Sequence, residues 1–311
     1  ILKDTGKSIV SLLNPLNIAV SLISKVVEST VAGVLALDQY NSSFLRATGA
    51  TGEYINAIQG AWLQTRAFGV RISEASEAIT SLYVNMVDFT RLSPSMRQAL
   101  AETVSLMAEA GVSTQTSSQA LDVFTKVMRL SASDATVATR ELFQVARNIG
   151  MSVETVMSDF AQASSRLAMF GDNMLNVFEG LEAQAKATGI SVQGLMGIVG
   201  QFDTFEGAAN AASRLNSILG GPYINSMEML MATDDERIST LRNLENVLGT
   251  SWQAMSRQTK QAVASALSIS NMSDAARLFG SDAAAFEEAA IGVGEARTEL
   301  EALNQIALQT Q

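Results

Sequence analysis

An all-α chain of repeated antiparallel helical hairpins, about 40 residues per pair, with a C-terminal coiled-coil stem, is what three features of this sequence predict. Glycine breakers recur: Gly69-Val70-Arg71-Ile72-Ser73, Gly111-Val112-Ser113, Gly150-Met151-Ser152 and Gly189-Ile190-Ser191 each interrupt a helical pattern, and their glycines lie 42, 39 and 39 residues apart. Each reads as a helix stop at Gly followed by a helix start at Ser. Weaker breaks fall midway, at Leu92-Ser93-Pro94-Ser95, Leu130-Ser131-Ala132-Ser133 and Phe170-Gly171-Asp172, so the unit is a pair of helices. No period-two alternation runs longer than a few residues, and two of the 3 prolines, Pro94 and Pro222, stand at breaks.

Four regions follow in chain order. Residues 1–48 form an apolar helical segment: Leu16, Ala19, Ile23, Val26, Val27, Thr30, Val34 and Leu37 recur at three- and four-residue spacing, with Pro15 suited to a first turn. The charge-free stretch Ile9 to Ser24 is shorter than the ~20 residues of a bilayer span and contains Asn14, Pro15 and Asn17, so a buried or partner-facing helix is favoured over a membrane span. Residues 49–201 form the hairpin-repeat region, opened by the loop Thr48-Gly49-Ala50-Thr51-Gly52. Within it, Leu142, Val145, Ala146 and Ile149 make one apolar stripe, and Val153, Val156, Met157, Phe160, Ser164 and Leu167 continue it in the next helix. Short breaks of this kind pack neighbouring helices antiparallel.

Residues 202–280 form a second helical region, with a helix from Ala208 to Leu219, a hard stop at Gly220-Gly221-Pro222 and then shorter helices. Thr233-Asp234-Asp235-Glu236 has the spacing of a capping box, with acids at the positive end of a helix dipole, and Gly249-Thr250-Ser251 marks another restart. In residues 281–311 Phe286, Ala289, Val293, Ala296, Leu300, Leu303 and Ala307 follow the alternating 3-4 spacing of a coiled-coil seam, a candidate self-association surface. The chain begins without Met and ends within a helical pattern, so it is expected to be a piece of a longer polypeptide.

Composition narrows the function. The 311 residues are 47% hydrophobic, enough for a substantial core, and contain no Cys and no His. Thiol nucleophiles, imidazole acid-base chemistry, disulfides and the usual zinc ligand sets are thereby removed. A net charge of -10, with no run among the 21 Lys and Arg residues, argues against a basic nucleic-acid face. Neither enzyme activity, a cofactor, nor a metal is expected.

Three candidate features remain. The paired acids Asp234-Asp235-Glu236 and Glu287-Glu288 would suit acid-base chemistry or a divalent cation, but a helix cap and a solvated helix face explain them without a site. Gly194, Gly197 and Gly200 fall at i, i+3 and i+6 in a stretch that carries no charge from Gly189 through Phe202. On a helix they form a smooth stripe for close helix packing, which is favoured, or for membrane contact. The 14 Met residues, Met227, Met229 and Met231 among them, suit either an adaptable binding surface or a loosely specified core.

Several segments taken in order resemble the core region of phage tail tape-measure proteins. They are Phe44 to Glu53 (FLRATGATGE), Gly69 to Ala78 (GVRISEASEA), Ala108 to Ser113 (AEAGVS), Phe202 to Ala209 (FDTFEGAA), Leu215 to Tyr223 (LNSILGGPY) and Ala275 to Gly280 (AARLFG). The resemblance spans about Gln39 to Gly280, and the order of the motifs carries it. It implies a virion component that sets tail length in assembly, lies in the tube lumen or tail tip, and leaves ahead of the genome. The partners it implies are other copies of itself, tail-tube proteins, baseplate or tail-tip proteins, and the host membrane on ejection. The frequent breaks favour a folded docking region over an extended rod, with coiled coil continuing past Gln311. Two rival readings are a membrane-active helical protein, using Leu16 to Leu37 and Gly189 to Phe202, and a helical-repeat adaptor for partner proteins.

Overall fold

The computed structural model of the chain describes residues 42–50, 52–280 and 291. Among the described residues all regular structure is helical. The apolar segment Leu16 to Leu37 and the seam from Phe286 to Ala307 lie outside the described residues. The described chain divides into two compact units: the first holds residues up to Arg147 together with Ser152–Ser164, and the second holds Asn148–Met151 and residues from Ser165 onward.

The first unit contains α1 (Ile55–Thr65), α2 (Ile72–Asn85), α3 (Pro94–Glu109), α4 (Thr114–Lys126), α5 (Ala132–Asn148, of which Asn148 falls in the second unit) and the greater part of α6 (Val153–Leu167). Helix α1 packs on α2 and α3, α2 packs on α3 and α4, and α3 packs on α4. The core contains Ile58, Ile79, Leu82 and Leu100, all fully buried. Phe44 is buried against Tyr54, ring centroids 5.7 Å apart, so residues 42–48 join the first unit and are not set apart from it. Phe124 of α4 stacks on Phe160 of α6 at 4.8 Å.

The second unit contains the end of α6, then α7 (Met174–Thr188), α8 (Val192–Val199), a 3-10 turn at Gly200–Asp203, α9 (Phe205–Leu219), α10 (Ser226–Met231), α11 (Asp234–Arg242), α12 (Leu244–Leu248), α13 (Arg257–Ala266) and α14 (Met272–Gly280). Helix α7 packs on α8 and α11, α9 on α10 and α13, and α14 on α11 and α13. The boundary expected at residue 201 falls inside this unit, because Asp203 is bound to residues on both sides of it.

The helix ends follow from local chemistry. Gly69, Gly111, Gly150, Gly189 and Gly220 all have positive φ, from 67° to 98°. Ser113 and Ser191 accept the N–H of Thr116 and Gly194 as N-caps, and Ser152 accepts that of Thr155. Ser93 and Ser131 cap α3 and α5 in the same way. The first break differs: α2 begins at Ile72, so Ser73 lies inside the helix, and the carboxylate of Glu74 accepts the Arg71 N–H at 2.7 Å. The break after α4 is closed by Arg129 at φ 56°, with Leu130 N–H donating to the Phe124 carbonyl, so an arginine takes the place of a glycine.

Gly150 has φ 67°, a conformation in which a β-branched residue is strained by about 1–2 kcal/mol. Gly150→Val is therefore expected to lower the melting temperature by several degrees more than the surface change Gln162→Ala. Equal melting temperatures by calorimetry would show that the turn tolerates a side chain.

Each unit contains contacts between groups 33 to 38 residues apart, and the second also has longer-range ones, such as Arg166 with Asp234, 68 residues apart, and Gln184 with Ser239, 55 apart. In the first, Ser81 bonds Ser118 at 2.7 Å, Lys126 pairs with Asp88 at 2.5 Å, and Thr103 bonds Thr136 at 3.4 Å. In the second, Lys186 donates to the Gly150 carbonyl at 3.1 Å and Arg166 to Asp203 at 2.7 Å. All five pairs are 33 to 38 residues apart. Loop ends are also tied by later side chains: Asp122 accepts Val87 N–H, Glu154 accepts Ser113 N–H, and Arg277 donates to the Gly189 carbonyl.

Candidate functional site

The densest polar constellation joins the end of α6, the 3-10 turn and the start of α11 in the second unit. The Arg166 guanidinium presents one edge to Asp203, with Nη1 and Nη2 donating at 2.7 and 3.1 Å, and the other edge to Asp234, with Nε and Nη2 donating at 2.6 and 3.0 Å. Arg237 donates from Nη1 to Asp203 at 2.6 Å and to Asp234 at 2.9 Å. Its Nε and Nη2 donate to the carbonyls of Met229, Leu230 and Phe202. The Asp234 side chain is 0% exposed and that of Arg237 4%. Gly200 makes room for this cluster, since a Cβ there would sit 3.1 Å from Arg166 Nη1.

The electrostatics explain why charges persist in this place. Two carboxylates face two guanidiniums, and every carboxylate oxygen accepts at least one charge-assisted hydrogen bond. Burial pulls the Arg166 guanidinium downward, but the hydrogen bonds and charges of Asp234 and Asp203 outweigh it and raise its pKa. Both carboxylates are engaged by both arginines. What this arrangement does chemically is fix three backbone segments to one another.

A second polar seam lies between α7 and α11. Gln184 donates to Ser239 at 2.8 Å and accepts from Arg242 at 2.8 Å. Asp235 sits against Gly180, where a Cβ would meet its carboxylate at 2.5 Å. Burial raises the Asp235 pKa against the opposing hydrogen bond from Thr233. Burial likewise raises Glu102 and Asp159 in the first unit. For such a group the protonated form is bound better by the folded state, so its contribution is fully present below the unfolded pKa and is lost as pH rises through the folded one. Asp235→Asn, which keeps an acceptor for Thr233, is expected to stabilise the protein at pH 7, with the gain shrinking as pH falls toward 4. A gain independent of pH in thermal melts would contradict this sign.

The residues singled out from sequence are placed as follows. Gly194, Gly197 and Gly200 do not share one neighbour: Gly194 faces the side chain of Ile190, Gly197 has nothing within 4 Å, and Gly200 faces Arg166. Gly200 keeps helical φ and ψ and donates its N–H to the Met196 carbonyl, and Gly197, between the other two, is exposed. Helix α8 has eight residues, and among the described residues no helix is long and apolar enough to cross a membrane. Gly221 donates to the Asn216 carbonyl in the α9–α10 turn, where Pro222 follows. Of the acidic run, Glu236 accepts Thr233 N–H at 2.9 Å as a cap, whereas Asp234 turns inward to the arginines. Among the described residues no group of His, Cys, Asp and Glu is arranged to hold a metal ion.

Arg166, Asp203 and Arg237 were not singled out by sequence reasoning. The spacing of Asp234 and Arg237, three apart on a helix, was a usable signal. The partners 37 and 68 residues away were not. No family model, curated protein or solved structure matches this chain.

Proposed function

We propose that this chain is a structural segment of a phage tail tape-measure protein, acting through helix packing and not through catalysis. The observation that supports the reading is that groups 33 to 38 residues apart meet in both units, as neighbouring helical hairpins would bring them together, although the second unit adds contacts at longer separations. The order of tape-measure-like motifs between Gln39 and Gly280 supplies the family. The polar groups of the densest cluster are used in holding helices together, which suits an assembly part. In this reading the folded helices dock in the tail channel or tip against tube, baseplate or tip proteins. The heptad spacing from Phe286 to Ala307 would supply the contact with other copies.

The test is removal of residues 42–280 from the gene of the encoding phage. Laid out as a single helix, that segment would account for about 360 Å of tail at 1.5 Å per residue. A folded docking region predicts tails that fail to assemble or lose length control. Tails of normal and uniform length in electron micrographs would overturn the proposal.

A further inference from the structure

We infer that the exposed strip formed by Met227, Met231 and Phe205 is a docking surface for an α-helix of a different protein, one with an apolar stripe flanked by Lys and Arg. On α10, Met229 points inward and is 1% exposed, while Met227 and Met231, one helical turn apart, are 50% and 79% exposed. Phe205, the first residue of α9, is 67% exposed. Arg237 joins the two helix ends by donating to both the Phe202 and the Leu230 carbonyls, at 3.4 and 3.1 Å. The end of α10 is thereby held beside the 3-10 turn that leads into α9, with Met231 next in sequence to Leu230 and Phe205 three residues after Phe202. Methionines left in water on one face of the short α10, with an exposed phenylalanine at the start of α9, offer side chains that repack readily around an incoming helix.

Charge selects the occupant. The exposed ionisable residues of α9, α10 and α11 are Glu206, Arg214, Glu228 and Glu236, with Glu206 and Glu228 next in sequence to Phe205 and Met227 and Arg214 nine residues after Phe205. An apolar strip with an acidic rim is complementary to an amphipathic helix with a basic rim. A second copy of this chain brings a net charge of -10, and an anionic bilayer brings the same sign, so both are disfavoured at this rim.

The probe is an 18-residue amphipathic peptide of Leu and Lys, titrated into the whole protein and followed by fluorescence anisotropy. Binding is expected to weaken about tenfold or more for the Met227→Ser, Met231→Ser, Phe205→Ser triple variant, whose changed positions are exposed in the fold. A scrambled peptide of the same composition, lacking the apolar stripe, is expected to bind about as poorly, and Glu206→Gln with Glu228→Gln to reduce the salt dependence. Equal affinity for the triple variant, or equal affinity for the scrambled peptide, would overturn the assignment. So would loss, in the triple variant, of self-association by sedimentation or of binding to phosphatidylglycerol vesicles, which would give the strip to a second copy or to a lipid surface.

Discussion

Arg237→Met is expected to lower the unfolding free energy by about 3–5 kcal/mol, the range found when one partner of a buried ion pair is removed. The variant leaves Asp234, fully buried, to share the single guanidinium of Arg166 with Asp203, and it strips the donor from the carbonyls of Met229, Phe202 and Leu230. Those carbonyls belong to α10 and to the turn before α9, so the loss spreads beyond the cluster. Arg237→Lys is expected to recover only part of the loss, because an ammonium keeps the charge but not the planar fork that reaches two carboxylates and three carbonyls. Asp203→Asn should be milder, since its side chain is 24% exposed and water can replace a lost partner. Urea unfolding of the three variants checks the order. If Arg237→Met lost no more than Asp203→Asn, the cluster would not be what fixes the turn to α11.

Gly207→Val is the second change of large expected effect. A Cβ at Gly207 would stand 2.1 Å from the Gln201 carbonyl oxygen and 2.9 Å from Thr204 Oγ1. The first of these is backbone and cannot swing aside. Separation of the 3-10 turn from α9 is the way out, and it displaces the Thr204 cap as well as Asp203, two residues after Gln201. A loss of about 3 kcal/mol is expected, at the upper end of overpacking costs. Gly197→Ala provides the contrast, because nothing lies within 4 Å of its added Cβ and alanine is the better helix former by about 0.5–1 kcal/mol. Thermal melts should therefore move in opposite directions for the two variants. Similar shifts would mean that the turn is not seated on α9 as described.

These contrasts show which parts of the molecule a sequence exposes. Helix ends were legible because their chemistry is local: Gly111 and Gly189 take left-handed φ, and Ser113 and Ser191 accept amide protons three residues on. Where another residue can do the same work, the pattern misleads. Glu74 binds the Arg71 N–H and leaves Ser73 inside α2, and Arg129 adopts the conformation expected of glycine. The apolar positions at helical spacing, such as Val145, Val156 and Phe160, are buried as their periodicity implies. The cluster was largely illegible. Asp234 satisfies every local rule for a capping acid, and its choice of Arg166, 68 residues earlier, depends on how α6 and α11 are brought together. The glycines at 194, 197 and 200 have no common neighbour within the chain, since nothing lies within 4 Å of a Cβ at Gly197 while Gly194 faces Ile190 and Gly200 faces Arg166.

The central claim of the proposal is that this chain is built into a phage tail and leaves it ahead of the genome. Mass spectrometry of purified virions of the encoding phage, with protease added from outside before and after triggered genome ejection, tests it most directly. Peptides from residues 42–280 are expected in intact particles, protected from protease, and are expected to be missing from the tails once ejection is complete. Their absence from intact virions, or their retention in emptied tails in unchanged amount, would contradict the account.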